Sequence, residues 1–561
     1  MIHTKGPLLT VDVGSREFET TNVDAILEAY VGGRGVGTKL AHDRIPFDAD
    51  PLSPENSLIF ATGPLQTSQM SFTGRMSCTG LSPLTNGLLS SNAGGFMSRP
   101  FADTGYSAVQ FTGASDELLA VHVRDDGVTF EEVPDLAGAK LDEVTAWLDE
   151  AHDLGPEHAA AIGPAGENGV RFASIMTSEN RAFGRGGLGA VFGAKNVKVI
   201  TFDGDSRPDI ELDVDITAEI HQKAANADSP MKSAGTTSVT NYANSVGALP
   251  TKYFEETSYE HAHKIGGSAV AEKKYKKGTC SACAFACKLP TRDEESGLET
   301  EGPEYETVMA FGSNALVDDV VNVMKSNDLC NKLGMDTISC GDAVSAYLAA
   351  HDEFGNVDLI HELVEKIAYR EDEGDMLAEG IARFHEELGV ENWTMKGMEF
   401  SAHDGRTLNG QGLSFATANR GADHMYAEMY NLEYPLVAPP QALDPDGLDG
   451  KPAVLVEHEN LNALKDAGVL CKFGSSFMKE ERYEKLFDAS YAALLEVGDR
   501  IVTLERHFNN KRGFDRADDD ALPYELDGFD EALSEYYELR GWSDDGVVPD
   551  ANVGDTPAAA D

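Results

Sequence analysis

A chain of 561 residues is too long for a single hydrophobic core, and a hydrophobic content of 41% is that of a folded protein able to enclose a large cofactor. Its 45 Lys and Arg stand against 95 Asp and Glu, a formal net charge of -50 spread along the whole chain rather than gathered in blocks. That balance leaves no basic stripe for nucleic acid, and it marks a surface that counterions must screen, as halophilic proteins use.

The opening residues, MIHTKGPLLTVDVGSREFETT, lack a basic start followed by an apolar h-region, so no signal peptide is expected. No apolar run reaches membrane-spanning length, and no membrane partner is expected. Residues 1–203 carry short alternating apolar runs, LLTVDV, SLIFAT, AVQFTG, LAVHVR, RFASIM and VKVITF, separated by glycine-rich turns, and predict a β domain. The glycines gather in GGRGVG (32–37), SNAGG (91–95), IGPAGEN (162–168) and GRGGLG (184–189). Each alone is what a tight turn needs; together they predict a surface where backbone approaches a ligand. GRGGLG also spells G-x-G-x-x-G, but the strand VKVITF follows too soon for a crossover helix. A short helix, GLGAVFGAK, is predicted instead, with its first amides and Arg181 and Arg185 available to a phosphate.

From residue 204 the apolar period becomes helical, in DVDITAEIHQKAAN, DDVVNVMKSNDLCNKLGMD, CGDAVSAYLAAHDEF, LIHELVEKIAYREDEGDMLAEGIARFHEELG and AVLVEHENLNALKDAG. The polar, glycine-containing stretch SAHDGRTLNGQGLS places a further boundary near 405. The expected class is α+β: a β-rich cofactor-binding domain over 1–203, followed by two mostly α-helical domains over 204–405 and 406–561. From Gly541 onward the acidic, Ala/Pro/Asp-rich sequence predicts a frayed tail.

The chemistry centres on GTCSACAFACKLP, where Cys280, Cys283 and Cys287 bring three sulfurs into one loop. Seven Cys in all, with three clustered, fit a reducing, cytoplasmic location, where such a loop binds zinc or an iron-sulfur cluster rather than forming a disulfide. No Cys or His pair follows at finger-like spacing, and a triple plus one distant Cys suits a 4Fe-4S cluster. The expected fourth ligand is Cys471 in AGVLCKFG; Cys78, Cys330 and Cys340 are its rivals, the last two in helix-like sequence where a small buried hydrophobe is the ordinary explanation.

Several stretches in fixed order then resemble one family: PLSPENSLIFATGPL (51–65), TGRMSCTGLSPLTN (73–86), SNAGG, IGPAGEN, RAFGRGGLGAVFGAKN (181–196), the cysteine loop, EGPEYET (301–307), LGMDTIS (333–339), RGADH (420–424) and LCKF (470–473). The set is similar to the tungsten-dependent aldehyde:ferredoxin oxidoreductases. The resemblance implies a metal, tungsten or molybdenum, held by two pterin dithiolenes, with magnesium bridging their phosphates near Asn92. It implies contacts to one side of the bis-pterin from Arg75, Asn92, Gly94, Arg181, Phe183 and Gly184, and from the pair Arg420 and Gly421. It implies contacts to the second pterin from Asn331, Met335 and Asp336 in NKLGMD, and from Asp466 and Leu470 in DAGVLC. Asn331 stands where Asp is usual and so gains a donor but loses a charge; Gly468 stands one residue early for the family's turn.

The same resemblance gives His424 as the active-site histidine, with Glu306 as its carboxylate partner and Glu304 as the alternative. It implies oxidation of an aldehyde to a carboxylic acid, with electrons leaving through the cluster to ferredoxin. A low-potential reductase using the same cofactor, or a non-enzymatic iron-sulfur carrier, are the alternative readings. VNVMKSND offers no Glu for a subunit-bridging iron, so an iron-bridged dimer is not expected, while a homodimer of another kind stays open.

Overall fold

A computed structural model describes residues 1–178, 180–434 and 442–554. Its first 203 residues build two six-stranded sheets. Strands β1 (Leu8–Asp12), β2 (Glu17–Thr21), β3 (Leu58–Ala61), β4 (Met76–Leu81), β5 (Leu88–Ala93) and β6 (Ala108–Thr112) run in the order β2-β1-β6-β3-β4-β5. Strands β7 (Leu119–Arg124), β8 (Gly127–Glu132), β9 (Ala159–Ala161), β10 (Ile175–Thr177), β11 (Arg181–Phe183) and β12 (Val197–Asp203) run in the order β11-β10-β9-β12-β7-β8. Each sheet has one parallel pair, β1 with β6 and β7 with β12, and is otherwise antiparallel.

Period-two alternation decides what each sheet face meets. Leu9, Val11, Phe60, Val109 and Phe111 point into a core shared with Val121, Val123, Ile200 and Phe202 of the second sheet. Phe60 sits at its centre, with its ring 6.0 Å from Phe111, 5.5 Å from Phe183 and 6.0 Å from Phe202. The alternate residues Leu8, Ile59, Ala61 and Ala108 face the other way, into a core with Val36, Leu40, Leu455, Leu464 and Ile501. Those partners lie on helices Gly33–Arg44, Lys451–Ala467 and Tyr491–Lys511, so the two ends of the chain close over the first sheet. Ala120, Ala161 and Val199 of the second sheet are covered by Leu141, Val144 and Leu148 of the helix Leu141–His152.

GGRGVG is therefore not a loop. It forms the first turns of the buried helix Gly33–Arg44, where a Cβ on Gly35 would come 2.9 Å from Ile501 Cδ1 and one on Gly37 3.0 Å from Thr79 Cβ. Glycine there serves close approach of helix to sheet and helix to helix, not a ligand.

Beyond residue 203 the chain is mostly helical. Helices Val214–Asn226, Val320–Leu333 and Thr337–His351 start at Asp213, Asp319 and Asp336, whose carboxylates accept from the amides of the first turn. Cys330 and Cys340 are buried in the second and third of these. The region after Gly541 is better ordered than its composition suggests: Trp542 and Val548 are buried, and Gly546 O accepts from Arg506 Nε at 2.8 Å. Residues 555–561 of the expected tail lie outside the described residues. Among the described residues no helix is long and apolar enough to cross a membrane.

Candidate active site

The cysteine loop docks against the first sheet's edge. Ser281 N donates to Gly95 O at 2.9 Å and Ala284 N to Ser71 Oγ at 2.9 Å. Ala282 and Ala286 both take positive φ, 54° and 52°, reversing the chain immediately before Cys283 and Cys287. Phe72 links this loop to the distant Cys471. Its ring lies 5.4 Å from Phe285 and 5.2 Å from Phe477, and its carbonyl accepts from Cys471 N at 2.7 Å.

Cys283 and Cys287 consequently both feel Cys280 and Cys471. Burial pushes the Cys287 thiol up, with Cys471, Glu304 and Cys280 adding and Arg181 opposing. Burial also raises Cys283, again with Cys471 and Cys280 adding, while the amides of Phe72 and Phe285 oppose. Arg75 reaches over them: it hydrogen-bonds Cys471, lies beside Cys280, and donates through Nη1 to Asn92 O at 3.3 Å. Burial disfavours its charge, but Cys471 and the carboxylate of Asp466 hold its pKa above the ordinary arginine value. Gly94 leaves room here, since a Cβ on it would stand 3.3 Å from Cys280 Sγ. No three of these sulfurs fall within 4.8 Å of one another, whereas four thiolates on one tetrahedral zinc lie about 3.8 Å apart. The arrangement fits a larger group than a single ion. Cys78, Cys330 and Cys340, the rival fourth ligands, are buried elsewhere in the fold.

Several predicted cofactor contacts carry buried polar atoms for which the protein supplies no hydrogen-bond partner: Arg75 Nε, Asn92 Oδ1 and Arg181 Nε. Such atoms are costly unless something else satisfies them. Gly184 borders open space, its nearest neighbour to a built Cβ being Ala182 Cβ at 3.9 Å. These features fit a bound polar group reaching between β4, β5 and β11.

Other predicted contacts are already engaged. Arg181 pairs with Glu301 and, at 3.6 Å, with Glu304. Arg185 donates to Glu399 O at 2.5 Å and Ala422 O at 3.2 Å, and Gly189 N donates to Ala173 O at 2.9 Å. At the short helix Leu188–Ala194, where a phosphate is expected, the Gly189 amide and the Arg185 Nη atoms are engaged within the protein, while Arg181 Nε and Arg185 Nε are buried without a hydrogen-bond partner. Phe183 turns its side chain into the inter-sheet core and can offer only backbone to a ligand.

Asp336 caps its helix, accepts from Ser339 Oγ at 2.9 Å, and lies 3.4 Å from Arg185 Nε. Met335 is buried in an isolated bridge with Ala173, and Asn331 is half-buried on the helix before it. Asp466 is buried 3.2 Å from Arg34 and 3.5 Å from Lys472, with Leu470 buried beside it. The early glycine has a structural answer: Gly468 has φ -78° and a Cβ on it would meet Phe487 Cζ at 2.5 Å, so the left-handed position falls instead on Val469, φ 56°. A β-branched residue there is strained. Arg420 donates to Ser90 O and pairs with Asp423. Gly421, φ 105°, is pressed against Met398 and Met395 rather than facing open space.

His424 and Glu306 meet. His424 Nε2 lies 3.2 Å from Glu306 Oε1, whose other oxygen accepts from Ala402 N at 2.7 Å. His424 Nδ1 is buried with no partner. Glu304 is not part of this group; it accepts from Thr236 Oγ1 at 2.6 Å and faces Arg181 and the cysteine loop. The sequence reading missed His403, which completes a cluster whose ligand atoms all lie within 4.8 Å. His403 Nε2 stands 3.5 Å from Glu306 Oε1, Nδ1 is 2.9 Å from Tyr434 Oη, and the ring stacks on Tyr430 at 3.7 Å. Burial first, and then His424, hold His403 well below the ordinary histidine value, so it is neutral. Its only signal in the sequence is a His in SAHDGR, a stretch that reads as a domain boundary.

A family model described as "Aldehyde ferredoxin oxidoreductase, N-terminal domain" matches residues 8–204, and one described as "Aldehyde ferredoxin oxidoreductase, domains 2 & 3" matches residues 212–554. The chain is 33% identical to a tungsten-containing aldehyde ferredoxin oxidoreductase of Pyrococcus furiosus, over 97% of this chain and 96% of that protein. It is likewise 33% identical to the Thermococcus kodakarensis protein of the same name, over 97% of each. Among solved structures it resembles the active-site complex BamBC of benzoyl coenzyme A reductase bound to 1,5-dienoyl-CoA, with a TM-score of 0.84 and 22% identity over 99% of this chain and 97% of that one; this likeness is one of fold.

Proposed function

The chain belongs to the aldehyde ferredoxin oxidoreductase family, and from that premise we propose that it is a tungsten-dependent enzyme that oxidises aldehydes to carboxylic acids and delivers the electrons to ferredoxin. The balance is RCHO + H2O → RCOOH + 2H+ + 2e-. Bound through two pterin dithiolenes, the metal supplies a centre that takes two electrons and releases them singly through a 4Fe-4S cluster. On this reading Cys280, Cys283, Cys287 and Cys471 hold the cluster. Arg75, Asn92, Gly94, Arg181, Phe183 (by backbone), Gly184, Arg420 and Gly421 line one side of the bis-pterin, with magnesium at its phosphates beside Asn92. Asn331, Met335, Asp336, Asp466 and Leu470 line the other.

The residues of the chain manage the proton. In the tautomer that places its proton on Nε2, 3.2 Å from Glu306 Oε1, His424 keeps its lone pair on Nδ1, buried and unpartnered. That atom accepts the proton released when a water oxygen bonds to the carbonyl carbon, and Glu306 stabilises the imidazolium that forms. The Ala402 amide fixes the carboxylate in place. Neutral His403, stacked on Tyr430, closes the wall behind it without adding a competing positive charge.

The observation that carries this reading is the meeting of Cys471 with the cysteine loop under Arg75, beside buried polar atoms that want a ligand. An iron-sulfur carrier would need neither those atoms nor the His424–Glu306 pair. In Cys471→Ser, cluster iron and aldehyde-driven viologen reduction are expected to be lost while most pterin stays bound. Full activity in that variant overturns the assignment.

A further inference from the structure

The outer face of the second sheet carries a group that the redox chemistry does not use. His122 on β7 and Glu131 on β8 are diagonal neighbours across the hairpin, since His122 pairs with Thr129 and Ala120 with Glu131. His152 is the last residue of the helix Leu141–His152 that covers this face. His152 Nε2 lies 3.1 Å and His122 Nε2 3.5 Å from Glu131 Oε2, and all three atoms fall within 4.8 Å of one another. Three ligands bonded to one tetrahedral divalent ion at ~2.05 Å stand about 3.3 Å apart, so the spacing is that of a single-ion site.

The orientation of the rings points the same way. His122 Nδ1 lies 2.8 Å from Thr201 Oγ1 on the neighbouring strand β12, so in the tautomer that donates Nδ1–H to this hydroxyl the lone pair lies on Nε2, the atom beside Glu131 and free to ligate. His122 is only 8% exposed, and both Nε2 atoms are buried without a hydrogen-bond partner. The two imidazoles stand side by side, centroids 4.6 Å apart, with the Glu131 carboxylate against both Nε2 atoms. Glu131 is half-exposed at its edge and leaves an approach from solvent.

We propose that His122, Glu131 and His152 form a metal site separate from the redox centre, taking a divalent first-row transition ion such as zinc with water in the remaining position. The ion staples the C-terminal turn of the helix Leu141–His152 to the β7–β8 hairpin. The test uses the complete, cofactor-loaded protein, incubated with zinc, washed in molar NaCl to strip ions from the acidic surface, and passed through gel filtration. Zinc counted by mass spectrometry should rise by one equivalent per chain in wild type. It should rise by less than a tenth of that in His152→Ala and in Glu131→Gln, both with unchanged circular dichroism. Cobalt should quench Trp147, whose ring is 4.8 Å from His152, in wild type but not in His152→Ala. No retained zinc in wild type, or equal retention in both variants, which marks the acidic surface as the binder, overturns the site.

Discussion

Glu306→Gln is the most informative single change, because it alters charge and proton placement while keeping shape. Glu306 Oε1 is 3.2 Å from His424 Nε2, and at an effective dielectric constant of about 20 a carboxylate at that distance attracts a full imidazolium charge by about 5 kcal/mol. With the proton half transferred in the transition state, about half of that is realised, which corresponds to about a hundredfold in kcat. A second effect adds to it. The glutamine has one acceptor oxygen, which the Ala402 amide at 2.7 Å claims, so its NH2 faces His424 and draws the ring's lone pair to Nε2. The proton then sits on Nδ1, the atom that must be bare. Aldehyde-dependent viologen reduction should therefore fall at least a hundredfold, with iron, tungsten and pterin contents and the cluster's EPR signal unchanged. Glu304→Gln, which lies by Arg181 instead, should stay within severalfold of wild type. A Glu306→Gln enzyme within threefold of wild type, fully loaded with cofactor, would refute the proton-acceptor role of His424.

Three further outcomes test the fold. Gly498→Ala puts a Cβ 2.5 Å from the Asn460 carbonyl carbon, where helices Lys451–Ala467 and Tyr491–Lys511 cross, and should cost about 1–3 kcal/mol; an unchanged melting temperature would show that the crossing can relax. Asp519 is buried with Lys396 Nζ at 2.7 Å and Arg506 Nη2 at 2.8 Å, so Asp519→Asn leaves two buried cations uncompensated and should lose about 3–5 kcal/mol. Burial alone would raise the Asp519 carboxyl, but Arg506 and Lys396 hold it below the usual range; its stabilisation is therefore complete above an ordinary carboxyl pKa of about 3.9 and is lost as pH falls further, so the gap between wild type and Asn in acid melts should close only below about pH 4. With a net charge of -50, lowering salt from about 1 M to about 0.1 M extends the screening length from about 3 Å to about 10 Å and should lower the melting temperature; a flat salt response would show the acidic surface is neutral to stability.

A segment of this chain is legible in the amino-acid order where its chemistry is local. LLTVDV and SLIFAT alternate apolar residues between two buried faces and are strands. MSCTGL and LLSSNA have no such alternation, yet they form β4 and β5, paired residue by residue and tied by Thr79 Oγ1 to Ser90 Oγ at 3.0 Å. Small hydroxyl side chains are used there because the helix Gly33–Arg44 lies against the sheet, and that helix was itself hidden by its glycines. RFASIM holds a strand only from Ile175 on. In the sequence, Glu304 and Glu306 are equivalent carboxylates two positions apart; at the start of a helix those positions point to different sides, one to Arg181 and one to His424.

By itself the amino-acid order determined what depends on near neighbours: the β-rich first part, the helical remainder, three sulfurs within one short loop, and a histidine and carboxylates of the right type. Which of those groups meet was decided only in three dimensions, by Phe72 carrying Cys471 to the cysteine loop and by the packing that sets His403 and His424 on either side of Glu306. The physical reason is that such contacts join residues far apart in the chain, where no periodicity records them, and their energy exists only once the intervening core is packed.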